Sequence, residues 1–174
     1  ISLMLVNMVA GLFLLAHFVY FGLDEEDRTA WVPGFAMVGT VGLATGLHMA
    51  LTWPIPKTDS VNLTFANVAF GEMTVLLAVL FLGAALAMAR GWSLKSVAVY
   101  ALFAGLAAIL VGIRIGNLGL TRSPGMTAIG FAMAGGAGVV FCPLVLFFRK
   151  RRIVRAVVAL ILCVAGILWS ITAA

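Results

Sequence analysis

Residues 63–89 read LTFANVAFGEMTVLLAVLFLGAALAMA, and Glu72 is the only charge in the run. As a helix rising 1.5 Å per residue the run is about 40 Å long. That exceeds the roughly 30 Å of hydrocarbon in a bilayer. A carboxylate inside such a segment costs about 2.5–3.5 kcal/mol on insertion scales, so Glu72 is a candidate functional residue by its position alone.

The rest of the chain agrees with a membrane solvent. Of 174 residues, 64% are hydrophobic and 10% are charged, with a mean hydropathy of +1.19. A soluble domain carries about 25% charge, and a chain of this size has no soluble way to hide so much apolar surface. The net charge is +5, carried by the cluster Arg149, Lys150, Arg151, Arg152 and Arg155. That cluster is a short loop between apolar runs, which is a topology signal and not a nucleic-acid surface. Cys142 and Cys163 lie within apolar runs, read as packed thiols, and lack metal-type spacing. The first apolar run lacks a basic n-region and an Ala-x-Ala site, so it reads as a span rather than a signal peptide.

Six apolar stretches run over 2–22, 34–53, 62–89, 96–117, 127–148 and 154–172. Backbone in lipid must satisfy its own hydrogen bonds, so each is expected to be a helix. The fold class is therefore an all-α integral membrane protein of six transmembrane helices in one domain, 1–174. Loops one, three and five hold Arg28, Arg90, Lys95 and the basic cluster, whereas loops two and four hold only Lys57 and Arg122. The positive-inside rule then makes the odd loops cytoplasmic and both termini external, in a multi-pass plasma-membrane protein. Trp31 and Trp92 are expected at the inner interface, and Trp53 and Trp169 at the outer one.

Gly34-Phe35-Ala36-Met37 with Gly39 and Gly42 recurs as Gly130-Phe131-Ala132-Met133 with Gly135 and Gly138. Arg28-Thr29 parallels Arg122-Ser123, and Ala10-Gly11-Leu12 parallels Ala104-Gly105-Leu106. A duplicated unit of three helices, 1–90 and 91–174, fits this order, and an odd span count would invert the second copy. Chance matching between Gly- and Ala-rich segments is the alternative.

Several polar residues share the outer half. In the third helix Thr64, Asn67, Gly71 and Thr74 form one stripe, with Glu72 about 100° from Gly71 at its edge. Lipid is not expected to face that polar side. In the second helix Thr45, His48 and Thr52 share a face. Arg114 and Asn117 close the fourth helix, and Asn7 lies in the first. The candidate ion or solute site is thus Glu72, Asn67, His48, Arg114 and Asn7, with Arg114 and His48 as possible charge partners for the carboxylate. For each there is a structural alternative: snorkelling for Arg114, an interfacial hydrogen bond for His48, helix–helix contacts for the asparagines, and a fixed ion pair for Glu72. His17 and His48 differ in height by about 13 Å, which argues against a shared haem. His48 with Glu72 supplies two metal ligands, too few for a closed zinc site. No cofactor is implied.

Pro143 is expected to kink the fifth helix. The cluster Arg149, Lys150, Arg151, Arg152 and Arg155 is expected to contact anionic lipid headgroups or to act only as a topology signal. The acidic run Asp24–Asp27 lacks calcium-loop spacing and reads as a solvated turn.

The hexapeptide Asn67-Val68-Ala69-Phe70-Gly71-Glu72, entering a Leu-rich helix after a Trp-Pro turn, resembles a bacterial and archaeal membrane family catalogued as domain of unknown function 981. Length, span count and the position of the hexapeptide agree with the resemblance. It implies a multi-span membrane protein, places Asn67 and Glu72 in the family's own motif, and assigns no chemistry.

Two functions remain open. One is a small transporter or channel for a proton, cation or small solute, built on Glu72. The other is a membrane subunit of a larger complex, redox complexes included, or an embedded enzyme component. A homo-oligomer fits either. No nucleophile–base set or phosphate loop points to an independent enzyme.

Overall fold

The computed structural model describes residues 2–54, 64–119, 121 and 123–173. Lys57, Asn62 and Arg122 and the Thr64 side chain lie outside the described residues. There are six long helices: α1 (Ser2–Tyr20), α2 (Val32–Thr52), α3 (Thr64–Ala89), α4 (Lys95–Leu118), α5 (Pro124–Pro143) and α6 (Arg152–Ala173). All six are long and apolar enough to cross a membrane, so this is an all-α, multi-pass membrane protein. No strand occurs among the described residues.

The helix ends follow local chemistry. Pro33 opens α2, where its missing N–H would have no partner anyway. At the other end Trp53 takes a left-handed backbone (φ 48°), its indole N–H donates to the Ala50 carbonyl at 2.8 Å, and Pro54 follows. After α3 the chain reverses at Gly91 (φ 65°). The Trp92 N–H reaches back to Ala87 O at 2.7 Å and that of Gly91 to Met88 O at 3.2 Å, which is a Schellman ending. Gly119 (φ 62°) ends α4.

Pro143 marks a change of helix type. It stands at the end of α5, and Leu144–Phe148 continue from it as a π-helical turn. Proline brings no N–H and its ring crowds the carbonyl four residues back, so the regular bond to the Val139 carbonyl is missing from the last turn of α5.

Each helix packs on its neighbours in the chain, and α6 returns onto α1, so the six close into a ring. Two pairs are intimate. In α2–α3, Gly46 lies against the Gly71 carbonyl and Val75, and Gly71 lies against Ala50. In α4–α5, Gly105 and Gly135 bring the two backbones into direct contact. Such small-residue contacts drive helix association where lipid removes the hydrophobic incentive. Gly39 and Gly42 face α3, while Gly135 and Gly138 face α4. The loosest consecutive pair is α3–α4.

Rings of aromatic residues fill much of the interior. Phe18, Phe35 and Phe81 stack in series at 5.1 and 5.0 Å between centroids. Phe131 meets Trp169 edge-on at 5.1 Å and Phe70 at 5.6 Å. Trp169 is thus a core residue, 1% exposed, and not an interfacial anchor. The stripe it shares on α6 with Val158, Leu162 and Ala165 turns it inward.

Candidate functional site

The polar stripe of α3 faces inward as its spacing requires. Asn67 is fully buried, Gly71 packs on α2, and the Thr74 hydroxyl donates to Phe70 O at 2.6 Å. Glu72, one residue on from Gly71, falls about 100° round the helix and is exposed on the outer surface of the ring. It shares that flank with Phe65, Val79 and Leu86, all exposed and spaced by sevens.

The α2–α3 contacts fix relative depth. Gly71 opposite Ala50, and Gly46 opposite Val75, place Glu72 level with Met49. His48 is therefore within about 1.5 Å of the same depth. His48 lies two residues beyond Gly46, about 200° round α2, so it is exposed on the side turned away from α3. Arg114 lies two residues beyond Gly112, which packs on α5, and it too is exposed and turned outward. Asn7 is half-buried between α1 and α2, where its Nδ2 donates to Val38 O at 3.0 Å. The five residues therefore do not gather within one chain. Among the described residues no ion pair engages Glu72, His48 or Arg114. No group of three or more His, Cys, Asp or Glu side chains among the described residues is placed to hold a metal. Cys142 and Cys163 are free thiols.

The interior of the ring instead holds an apolar cavity of about 130 Å³. Its walls come chiefly from α1, α3, α4, α5 and α6, with Leu77, Ala101, Gly105, Ala134, Leu162 and Trp169 among them, and no ionisable side chain lines it. The helices α3 and α4 both contribute to the lining, and of the consecutive pairs they pack least on one another. Nothing in the sequence marks it beyond the alanines and glycines that face each other on α4 and α5.

At the basic end of the bundle the acidic turn and the basic loop meet. Asp24 Oδ2 accepts from Arg155 Nη2 at 2.9 Å, and Asp24 Oδ1 lies 4.0 Å from Arg149 Nε. The turn expected to be merely solvated is thus tied to α6. Arg155 is 6% exposed, so it belongs to the buried stripe of Val158 and Leu162. Its Nε and Nη1 have no partner among the described residues, and neither has Arg28 Nε. Arg28 Nη2 donates to Leu23 O at 3.1 Å. Burial pushes the Arg28 guanidinium below its usual value, Arg149 pushes the same way, and Asp24 and Glu25 push back. Glu25 accepts from the Trp31 indole at 2.8 Å. Arg152 stacks over Tyr20 at 6.0 Å, while Lys150 and Arg151 are exposed. Beside them, the Thr29 hydroxyl and N–H hold the Asp27 carboxyl below its ordinary value. The Arg155–Asp24 contact is hidden in the sequence because it depends on α6 returning to α1.

No curated protein and no solved structure matches this sequence. A family model described as "Protein of unknown function (DUF981)" matches residues 1–174. The hexapeptide resemblance and the six-helix layout agree with that match over the full length, and the chain belongs to this family.

Proposed function

We propose that the chain works as the membrane subunit of a cyclic homo-oligomer, with Glu72 at the contact between copies. The carrying observation is an exposed carboxylate, with no ion-pair partner among the described residues of its own chain, deep in the span Phe65–Ala89. Glu72 is five residues from the middle of that span, about 7 Å along the helix. With a hydrocarbon half-thickness of about 15 Å, it lies well inside the lipid, and a short side chain snorkels poorly. Bare lipid contact at that depth is unfavourable, so a protein surface is the partner expected there.

His48 suits that role. Rotation about the membrane normal preserves depth, and His48 is level with Glu72. The two residues lie on different sides of the α2–α3 pair, so one two-fold patch does not join them. A head-to-tail contact does, and such contacts close rings. Arg114 and Asn117 then rim the same outer half, on the side opposite the basic loops, which the positive-inside rule assigns to the cytoplasm.

The proton or cation transport reading rests on the same carboxylate and moves to the seam between copies, because the cavity in each bundle is apolar. Two measurements test the proposal. In nanodiscs the wild type should have the mass of several copies, and Glu72→Leu should shift it toward monomer. In liposomes Glu72→Gln should abolish cation- or proton-coupled flux. A monomeric wild type overturns the assembly, and a stable complex with unrelated subunits replaces it with a heteromeric one. Unchanged flux in Glu72→Gln removes the transport role and leaves the assembly standing.

A further inference from the structure

On α6 a single stripe runs Arg155, Val158, Leu162, Ala165, Trp169, and every member is at least nine-tenths buried. Val158, Leu162 and Trp169 line the apolar cavity. Arg155 stands one turn below Val158, a rise of about 4.5 Å. The basic floor of the bundle and the apolar void are therefore stacked along one helix face. At the floor the guanidiniums of Arg155 and Arg149 pair with the carboxylate of Asp24, and that of Arg28, bonded to Leu23 O, lies within electrostatic reach of Asp24 and Arg149. Glu25 is turned to the Trp31 indole. Three buried guanidinium nitrogens lack acceptors among the described residues: Nε and Nη1 of Arg155 and Nε of Arg28. Buried charged donors without acceptors are costly, and oxyanions satisfy them best. The first turn of α6 begins at Arg152 and adds the positive end of a helix dipole.

We propose that this end of the bundle binds an anionic phospholipid, its phosphate among Arg28, Arg149 and Arg155 and part of one acyl chain in the cavity above. Charge complementarity selects the head, and the apolar lining selects the chain. A void of about 130 Å³ holds a short stretch of hydrocarbon, being close to a benzene-sized engineered cavity of about 150 Å³. The remainder of the chain passes out between α3 and α4 into the bilayer. Phosphate oxygens reach the shielded Arg155 nitrogens as the exposed Arg149–Arg151 turn shifts aside.

The test uses the full chain in detergent and three probes: dioctanoyl phosphatidic acid, dioctanoylglycerol without the phosphate, and inorganic phosphate without the chains. Only phosphatidic acid should raise the unfolding temperature at submillimolar dose. Arg149→Gln should weaken its apparent affinity about tenfold, the loss of one charge-assisted contact. Ala134→Leu, which fills the cavity far from the arginines, should weaken it by a similar factor while inorganic phosphate stays silent. Each variant is compared with its own unliganded unfolding temperature, which keeps a folding defect separate from lost binding. An equal response to dioctanoylglycerol overturns the anion site. A response to inorganic phosphate equal to that of phosphatidic acid overturns the lipid. Undiminished binding by Ala134→Leu overturns the chain in the cavity.

Discussion

Replacing Gly105 by alanine tests the α4–α5 contact on which the ring depends. The added methyl would press on the Gly135 carbonyl oxygen, lie 2.9 Å from the Val139 nitrogen and 3.2 Å from the Gly138 carbonyl carbon. All three are backbone atoms, so no rotamer change makes room. Reaching ordinary contact at about 3.5 Å requires α4 and α5 to part by roughly 1 Å. Overpacking of this kind costs about 1–3 kcal/mol, and the helix propensity gained over glycine offsets about 1 kcal/mol. The net expectation is a loss of up to about 2 kcal/mol. On α5, a methyl added at Gly136 would meet nothing within 4 Å. Gly136→Ala should therefore gain up to about 1 kcal/mol. Reversible unfolding in mixed micelles, run on both variants and the wild type, reads the difference. Gly105→Ala as stable as Gly136→Ala, or a shift of both variants in the same direction, would overturn the backbone contact as the reason for Gly105.

Other outcomes follow from the basic end. Asp24→Asn removes the carboxylate paired with buried Arg155; because Asp24 is 40% exposed, the loss of stability should fall short of the ~3–5 kcal/mol of a fully buried pair, as read by the same unfolding assay. Asp27, accepting from the Thr29 N–H at 2.9 Å and its hydroxyl at 2.6 Å, has its folded-state pKa depressed. Its stabilisation is complete above the ordinary carboxylate value and fades as pH falls through the folded one, so an acid titration of stability should be shallower in Asp27→Asn than in the wild type. Pro143→Ala restores an N–H donor toward the Val139 carbonyl and should tighten the last turn of α5, visible as slower amide exchange across that turn.

The spans are legible in the sequence because bilayer thickness and backbone satisfaction leave little choice. Expected 96–117 and observed Lys95–Leu118 differ only by end residues. The inward stripe of Asn67, Gly71 and Thr74 is legible from 3.6-residue periodicity. What one helix cannot reveal is which side its neighbours take. Glu72 sits only about 100° from Gly71, and that rotation decides between interior and exterior. Trp169 lies near the boundary of its apolar run, as an interfacial residue would, but the α6 stripe buries it against Phe131. Arg155 reads as one more loop cation, yet it shares the face of Val158 and Leu162. The cavity is lined by side chains brought together from several helices, a three-dimensional property without a one-residue signature.

In the proposed ring the Glu72 flank of one copy meets the His48 face of the next. Val79 shares the Glu72 flank, and Ala44 lies one turn before His48; both are exposed, and the α2–α3 register places them at nearly the same depth. Cysteines introduced as Val79→Cys and Ala44→Cys leave Glu72 and His48 intact, in a background carrying Cys142→Ser and Cys163→Ser. Oxidation in native membranes should give a ladder of covalent multimers from the double variant and none from either single variant. Monomer alone from the double variant, or dimers from Val79→Cys by itself, would contradict the head-to-tail contact.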